Sequence, residues 1–485
     1  MNLTDWTLTE LRDAIAAGCC EAVEVVRGHL DRIARHNDGL GRPFSQVFAE
    51  SALARAAAVD RGEVTGPLAG VPVAVKDVLC TREGQTTCSS RMLAGYRSPF
   101  TATCVARLEA AGAIVLGKTA MDEFAMGSSC ENCAWGPVRN PWATDRVPGG
   151  SSGGSAAAMA ADLCAGALGT DTGGSIRQPA ALTGIVGFKP TYGRVSRWGL
   201  VAFASSLDQV GPMCRSVADA ALLYEVMAGR DPHDSTSVDQ PVGAVTAELD
   251  KPVDNLRIGL ARQYLSDSND PAVAKAVDEA VAVYRDAGAT VVDVDLPHTK
   301  YGIPVYYIVA TAEASSNLAR YDGIHYGHRA AEADDLVDLY CRSRGEGFGD
   351  EVKRRIMLGT YVLSSGYHDA YYVRALKVRR LIKRDFDQAF TRCDAILCPT
   401  TTGPAFKLGD KLDDPLAMYM NDVYTVNANL AGIPGISVPG GFTDSGLPVG
   451  VQLLGPAFDD ARLLRIAAIY ERATRHGWRR PPLGE

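Results

Sequence analysis

Apolar residues near the start of the chain recur at helical spacing. Leu8, Leu11 and Ile15, and then Val23, Val26, Leu30 and Ile33, fall three or four positions apart, and Thr7-Leu-Thr-Glu10 has the form of a capping box. Residues 7 to 60 are therefore predicted to be helical, forming a layer or arm. From residue 67 the texture changes to short β-rich runs. Val71-Pro-Val-Ala-Val75 reads as a strand, residues 101 to 111 as a helix ending at Gly112, and Ala113-Ile-Val-Leu116 as the next strand. Strand, helix and strand in that order imply an α/β protein with a largely parallel sheet. A polar stretch rich in Pro and Asp, about 231 to 255, reads as a long connection. The α/β pattern resumes with strands at 257–260 and 290–294 around a helix near 271–287. Late strands at 395–397 and 447–454 and a C-terminal helix over about 459–475 complete it. No repeat of solenoid length is present.

Composition narrows the class. The chain has 485 residues, 46% of them hydrophobic, enough to bury a substantial core. Net charge is −8, and Lys and Arg look scattered, which disfavours capture of a polyanion by this chain alone. The opening Met1-Asn-Leu-Thr-Asp-Trp-Thr7 has neither a basic nor an apolar leader region, and no run of about 18 apolar residues suggests a membrane span, so a cytoplasmic location is predicted. The 12 cysteines lie mostly in apolar surroundings, as at Cys104, Cys164 and Cys398, which suits reduced core thiols. Cys130-Glu-Asn-Cys133 has the spacing of half a zinc site or a redox pair, but no second pair or H-x-x-x-H completes a metal shell.

Two Gly/Ser-dense segments, Val147-Pro-Gly-Gly-Ser-Ser-Gly-Gly-Ser155 and Gly169-Thr-Asp-Thr-Gly-Gly-Ser-Ile-Arg177, are the candidate chemistry. Glycine lets backbone N–H groups turn toward an anion, and serine supplies hydroxyls. A phosphate loop would need a lysine after the glycines, and none follows either cluster. Gly149-Gly-Ser-Ser-Gly153 matches a nucleophile elbow, yet Asp145-Arg-Val-Pro148 is a poor preceding strand, and none of the eight histidines lies between His36 and His233. A flexible linker does not fit the compact Ala-rich texture of 156–168.

A serine without histidine needs another base, and neutral lysine is the usual substitute. Bringing a lysine to neutrality near pH 7 costs about 4 kcal/mol, which burial must supply. Lys76 ends the apolar run Val71-Pro-Val-Ala-Val-Lys76, at the C-terminal edge of a strand where α/β sheets place their sites. A lone lysine there would more often be one snorkelling from a strand end.

Lys76 is not alone. Val-Ala-Val-Lys76-Asp, Gly-Gly-Ser151-Ser-Gly-Gly-Ser and Gly-Thr-Asp-Thr-Gly-Gly-Ser175-Ile-Arg, in this order and spacing, resemble the amidase signature family. The resemblance implies a single domain over 1–485 with a large mixed, mostly parallel sheet covered by helices on both faces. Its parts would be an N-terminal helical layer over 1–65, a catalytic part over 66–230, and a remainder with pocket residues over 256–485. It further implies Ser175 as nucleophile, Ser151 as proton relay in a cis-peptide setting and Lys76 as the final base. The N–H groups of Thr172, Gly173, Gly174 and Ser175 would form the oxyanion hole, where one donor is typically worth about a hundredfold to a thousandfold in rate.

Further stretches, Met121-Asp-Glu-Phe-Ala-Met-Gly-Ser-Ser129, Arg139-Asn-Pro-Trp142, Lys189 to Ser196, Gly199 to Gln209 and Asp414-Pro-Leu-Ala-Met418, resemble the branch of that family that serves tRNA-dependent amidotransferases as the glutamine-hydrolysing subunit. That branch implies no cofactor in this chain, ATP and Mg²⁺ in a partner that handles misacylated tRNA, and a small third subunit. Free glutamine requires a cation for its α-carboxylate and an anion for its α-ammonium. Family motifs put Arg355 and Asp422 in those roles and Tyr306 in the pocket wall, although spacing alone does not choose Arg355 over Arg354. The rival readings are a free-standing amidase acting on small aryl or alkyl amides, with an apolar acyl pocket, and a non-catalytic scaffold subunit. Cys130 and Cys133 depart from the small hydroxyl or apolar residues that the family pattern leads one to expect.

Overall fold

The computed structural model describes residues 3–483. Among them, eleven strands form one sheet: β1 (Phe44–Val47), β2 (Pro72–Lys76), β3 (Ile114–Thr119), β4 (Gly166–Thr170), β5 (Val186–Lys189), β6 (Val210–Cys214), β7 (Arg257–Ala261), β8 (Thr290–Val294), β9 (Ala395–Pro399), β10 (Gly435–Phe442) and β11 (Pro448–Leu454). Their spatial order is β1-β3-β2-β4-β6-β5-β10-β11-β9-β7-β8. The sheet is mixed, but it is not mostly parallel as the sequence suggested. Of its ten adjacent pairs, β2 with β3 and β4, and β7 with β8 and β9, are parallel, and the other six are antiparallel. The antiparallel middle rests on strands that glycine and proline disguise. β10, Gly-Ile-Ser-Val-Pro-Gly-Gly-Phe, carries an irregularity between Pro439 and Gly441 and turns straight back into β11.

Each strand at the catalytic end feeds two cores. Val73 and Val75 of β2 and Leu168 of β4 belong to one, whereas the intervening Ala74 and Ala167 belong to the other, as the period of two requires. Lys76 is two residues beyond Ala74 and shares its face. That face is covered by the helix Gly153–Ala160, whose Ala156, Ala158 and Met159 join the same core, and by Ala22, Val26 and Ile33 of the helix Ala22–His36. The first helix, Leu8–Ala16, begins with the capping box at Thr7 and Glu10 and buries Leu8 and Leu11 in the opposite core. One segment of the helical opening differs from the sequence reading. Phe44-Ser-Gln-Val47 is an edge strand antiparallel to β3, too short to interrupt the helical periodicity around it.

The segment 302–389 supplies helices Gly302–Asn317, Leu336–Gly347, Asp350–Leu363 and Arg374–Ala389. The last of these corrects the expectation of scattered cations. It gathers Arg374, Lys377, Arg379, Arg380, Lys383 and Arg384, while Ala375, Ile382, Phe386 and Ala389 face inward. Averaging charge over a chain of net −8 conceals such a local stripe. No described helix is long and apolar enough to cross a membrane.

One buried ion pair joins the halves of the sheet. Arg177, wholly inaccessible, donates Nε to Asp171 Oδ2 and Nη2 to Asp171 Oδ1, both at 3.0 Å. The same guanidinium reaches Gln452 of β11 at 2.6 Å, Asn429 Oδ1 at 2.7 Å and the Thr425 carbonyl at 3.1 Å. Burial alone would raise the Asp171 carboxyl, but the charge and hydrogen bonds of Arg177 bring it down to about 2. Removing one partner strands the other in the core, a loss of about 3–5 kcal/mol. Arg177→Leu is therefore expected to lower the unfolding free energy by about that amount in guanidinium titration, and a loss under about 1 kcal/mol would show that this pair does not hold the halves together.

Candidate active site

Lys76 ends β2 with its side chain at 0% exposure. Its Nζ donates to three hydroxyls, Ser151 Oγ, Ser152 Oγ and Thr170 Oγ1, each at 2.8 Å. Sequence reasoning found Ser151 but missed Ser152 and Thr170. Ser152 Oγ is in turn fixed to β4, donating to the Thr170 carbonyl at 3.1 Å and accepting from the Thr170 N–H at 3.2 Å. Neutral acceptors cannot repay the loss of water around an ammonium, so burial drives the Lys76 amine down to about 7, against the pull of the Asp122 carboxylate. Asp122, also buried, accepts from the N–H groups of Cys130 at 3.0 Å and Asn132 at 3.2 Å, and burial raises it to about 6.

The Gly150–Ser151 peptide is cis. Gly150 N–H donates to Gln178 Oε1 at 3.0 Å, and the Ser152 N–H donates to the Ser175 carbonyl at 3.2 Å, which sets the first loop against the second. Ser175 keeps 8% exposure beside fully buried Lys76 and Ser151. Among the described residues no hydrogen bond joins the Ser151 and Ser175 hydroxyls.

The second loop leaves β4 at Thr170 and enters the short helix Arg177–Thr183. Between them, the N–H groups of Thr172, Gly173, Gly174 and Ser175 donate to no described residue, although several neighbouring groups are engaged. The Asp171 N–H bonds to the Gln209 carbonyl at 2.8 Å, Thr172 Oγ1 to Asp208 at 2.7 Å, and the Gly173 carbonyl accepts from Thr425 Oγ1 at 2.6 Å. Buried backbone donors are nearly always paired, so four successive free ones form a site prepared for an anion. Gly173 and Gly174 are needed for steric reasons as well. A Cβ on Gly173 would lie 2.5 Å from Tyr306 Cζ, and one on Gly174, where φ is +138°, would lie 2.2 Å from Thr425 Oγ1.

The structure brings Tyr306, Arg355 and Asp422 to the same region. Tyr306, on the helix Gly302–Asn317, lays its ring over Gly173. Arg355 lies on the buried face of the helix Asp350–Leu363, its guanidinium 5.3 to 5.6 Å from the ring centroids of Tyr307, Tyr419 and Phe203. Burial separates it from its neighbour: the Arg355 side chain is 3% exposed and that of Arg354 43%. Asp422 is 6% exposed and accepts from Ser128 Oγ at 2.5 Å; burial lifts its carboxyl to about 7, moderated by Ser128 and Arg355. Such a carboxyl becomes a firm anion only when a cation arrives beside it. Ser128 lies within a family motif, but nothing in its spacing marks it as the partner of Asp422.

All 12 cysteines are free, Cys130 buried and Cys133 half-buried. Among the described residues no group of three or more His, Cys, Asp or Glu is arranged to hold a metal.

Comparison with known proteins matches this chain to the amidase family over residues 24–464. It is 57% identical over 483 residues to the glutamyl-tRNA(Gln) amidotransferase A-subunit of Thioalkalivibrio sulfidiphilus, covering 99% of both chains. Among solved structures, the glutamyl-tRNA(Gln) amidotransferase A-subunit of Thermotoga maritima superposes with a TM-score of 0.81 at 42% identity, over 97% of this chain and 95% of that one. The native peptide amidase of Stenotrophomonas maltophilia gives 0.83 at 35% identity, over 98% of each.

The environment of Lys76 makes a prediction independent of any reaction. In a titration of side-chain ¹⁵N-lysine resonances, two lysines, Lys76 and Lys189, both lowered by burial, are expected to change charge near pH 7, and one of these two signals to be missing from Lys76→Met; titration of Lys76 near 10 would refute its desolvation.

Proposed function

The chain belongs to the amidase family, and from that footing we propose that it hydrolyses glutamine to supply ammonia to a tRNA-dependent amidotransferase, of which it is one subunit. The observation that carries the choice of substrate is that Arg355 and Asp422, a buried guanidinium and a buried carboxyl, both lie near the tyrosine that rests on Gly173. A simple aryl or alkyl amide has no use for either charge, whereas the carboxylate and ammonium of an amino acid need both. This favours glutamine over the free-standing amidase reading, and the hydrogen-bonded Lys76–Ser151 pair beside Ser175 disfavours a non-catalytic scaffold.

The proposed cycle is acyl transfer. Ser175 Oγ attacks the carboxamide carbon while its proton passes to Ser151, and the Ser151 proton passes to neutral Lys76. The N–H groups of residues 172–175 take the negative charge that develops on the carboxamide oxygen. On collapse, Lys76 returns a proton through Ser151 to the departing nitrogen, the C–N bond breaks and ammonia leaves. Water, deprotonated by the same relay, then attacks the ester carbon; the C–O bond to Ser175 breaks, the proton returns to Ser175 and glutamate is released. Because the buried amine already lies near neutrality, the base is available without a histidine.

The assembly we infer contains a partner that binds misacylated tRNA and uses ATP and Mg²⁺, and a small third subunit. It converts Glu-tRNA(Gln) to Gln-tRNA(Gln), and Asp-tRNA(Asn) to Asn-tRNA(Asn) where the organism requires it, in the cytoplasm. No cofactor is assigned to this chain.

The test is ammonia release from glutamine by the chain alone and with both partner subunits, misacylated tRNA and ATP. Weak release alone, rising sharply in the full mixture and falling by about a thousandfold or more in Ser175→Ala, is the expected result. Brisk hydrolysis of simple amides by the lone chain, with glutamine ignored, would overturn it. The wild-type rate should climb as pH rises through about 7, where Lys76 loses its proton, and collapse below. Lys76→Arg, which cannot supply a neutral base, should lose about a hundredfold to ten-thousandfold at every pH from about 6 to 9.

A further inference from the structure

The Arg355 guanidinium meets another carboxylate of the chain. One turn earlier on the same helix, Glu351 Oε1 accepts from Arg355 Nε at 2.8 Å. The same oxygen accepts from the Tyr419 hydroxyl at 3.1 Å, and the other carboxylate oxygen takes the exposed Arg354. Tyr419 ends the helix Pro415–Tyr419, which runs directly into the turn Met420–Asp422. Its ring stacks on Tyr307 at 3.8 Å between centroids, and Tyr307 follows Tyr306 on a third helix. One carboxylate oxygen thus binds the helix that carries Arg355 to the segment that carries Asp422.

The division of the guanidinium is informative. Glu351 occupies its Nε edge and three rings border it, while its two terminal nitrogens donate to no described residue. A guanidinium offers five N–H donors in a rigid fork, so fixing the Nε edge aims the remaining pair. We propose that Glu351 is a positioning residue for glutamine. It holds Arg355 so that its terminal nitrogens present to the α-carboxylate, and through Tyr419 it sets the separation between Arg355 and the Asp422 carboxylate that meets the α-ammonium. The α-amino-acid selectivity of the site then depends on a residue that touches neither end of the substrate. This rests on the glutamine reading above.

The experiment is steady-state ammonia release by the assembled complex over a range of glutamine concentrations. Glu351→Ala removes the acceptor from both donors and is expected to raise KM by about tenfold to a hundredfold while kcat stays within about threefold. Glu351→Gln keeps a carbonyl oxygen for both donors and should return KM to within about fivefold of wild type. A structural role alone would lower the active fraction, reducing kcat and leaving KM in place. Should Glu351→Ala unfold below the assay temperature, Tyr419→Phe carries the test, with an expected KM rise of about threefold to tenfold at retained kcat. A KM within about twofold of wild type in the folded variant overturns the proposal while wild-type turnover leaves the glutamine reading intact. If the wild-type complex does not hydrolyse glutamine, the glutamine reading fails and this one falls with it.

Discussion

Asp171 and Arg177 bracket the loop that carries Ser175, and the charge pair between them ties its two ends together. It lies on the chain's path from β4 into the short helix after Ser175, and its guanidinium also grips β11 and the 425–429 segment. Because the side chains of Asp171, Thr172 and Thr425 take up the local polar partners, the backbone N–H groups from 172 to 175 remain unspent. A loop held by its own peptide hydrogen bonds would have consumed those donors. Here the anchors are side chains, and the backbone donors stay free.

The lysine at the end of β2 is the complementary constraint. Period-two alternation puts its side chain on the face covered by the helix Gly153–Ala160, so the amine is shielded from direct contact with solvent. Three hydroxyls accept from it, and none carries a formal charge. The same burial that makes Lys76 costly to fold makes it a base at neutral pH, so stability and reactivity are set against each other at one atom.

Much of this was legible in the sequence because it is local. The capping box at Thr7, the apolar run into Lys76, the two Gly/Ser loops and their order each occupy a few contiguous residues, and the structure places Lys76 against Ser151 as the family resemblance carried by those runs implied. What escaped is what depends on tertiary approach. Ser152 and Thr170 look like ordinary polar residues until the loop folds over β2. Arg354 and Arg355 are adjacent letters, and only the helix's rotation buries one and exposes the other. Glu351 in sequence is one more acid on a charged helix, and its link to Tyr419 spans two elements that no spacing connects. The antiparallel centre of the sheet was hidden because β10 is rich in glycine and proline, and the cation stripe over 374–384 because net charge says nothing of how charge is distributed.

The contact between Tyr306 and Gly173 has a consequence for how such a site can diversify. With an aromatic ring against the Cα of Gly173 and Thr425 Oγ1 against that of Gly174, neither position can admit even a methyl group without displacing its neighbour. The loop is therefore frozen by its surroundings as firmly as by its chemistry. New acyl specificities on this scaffold would have to be written away from those two contacts, at positions of the helices Gly302–Asn317 and Asp350–Leu363 other than Tyr306.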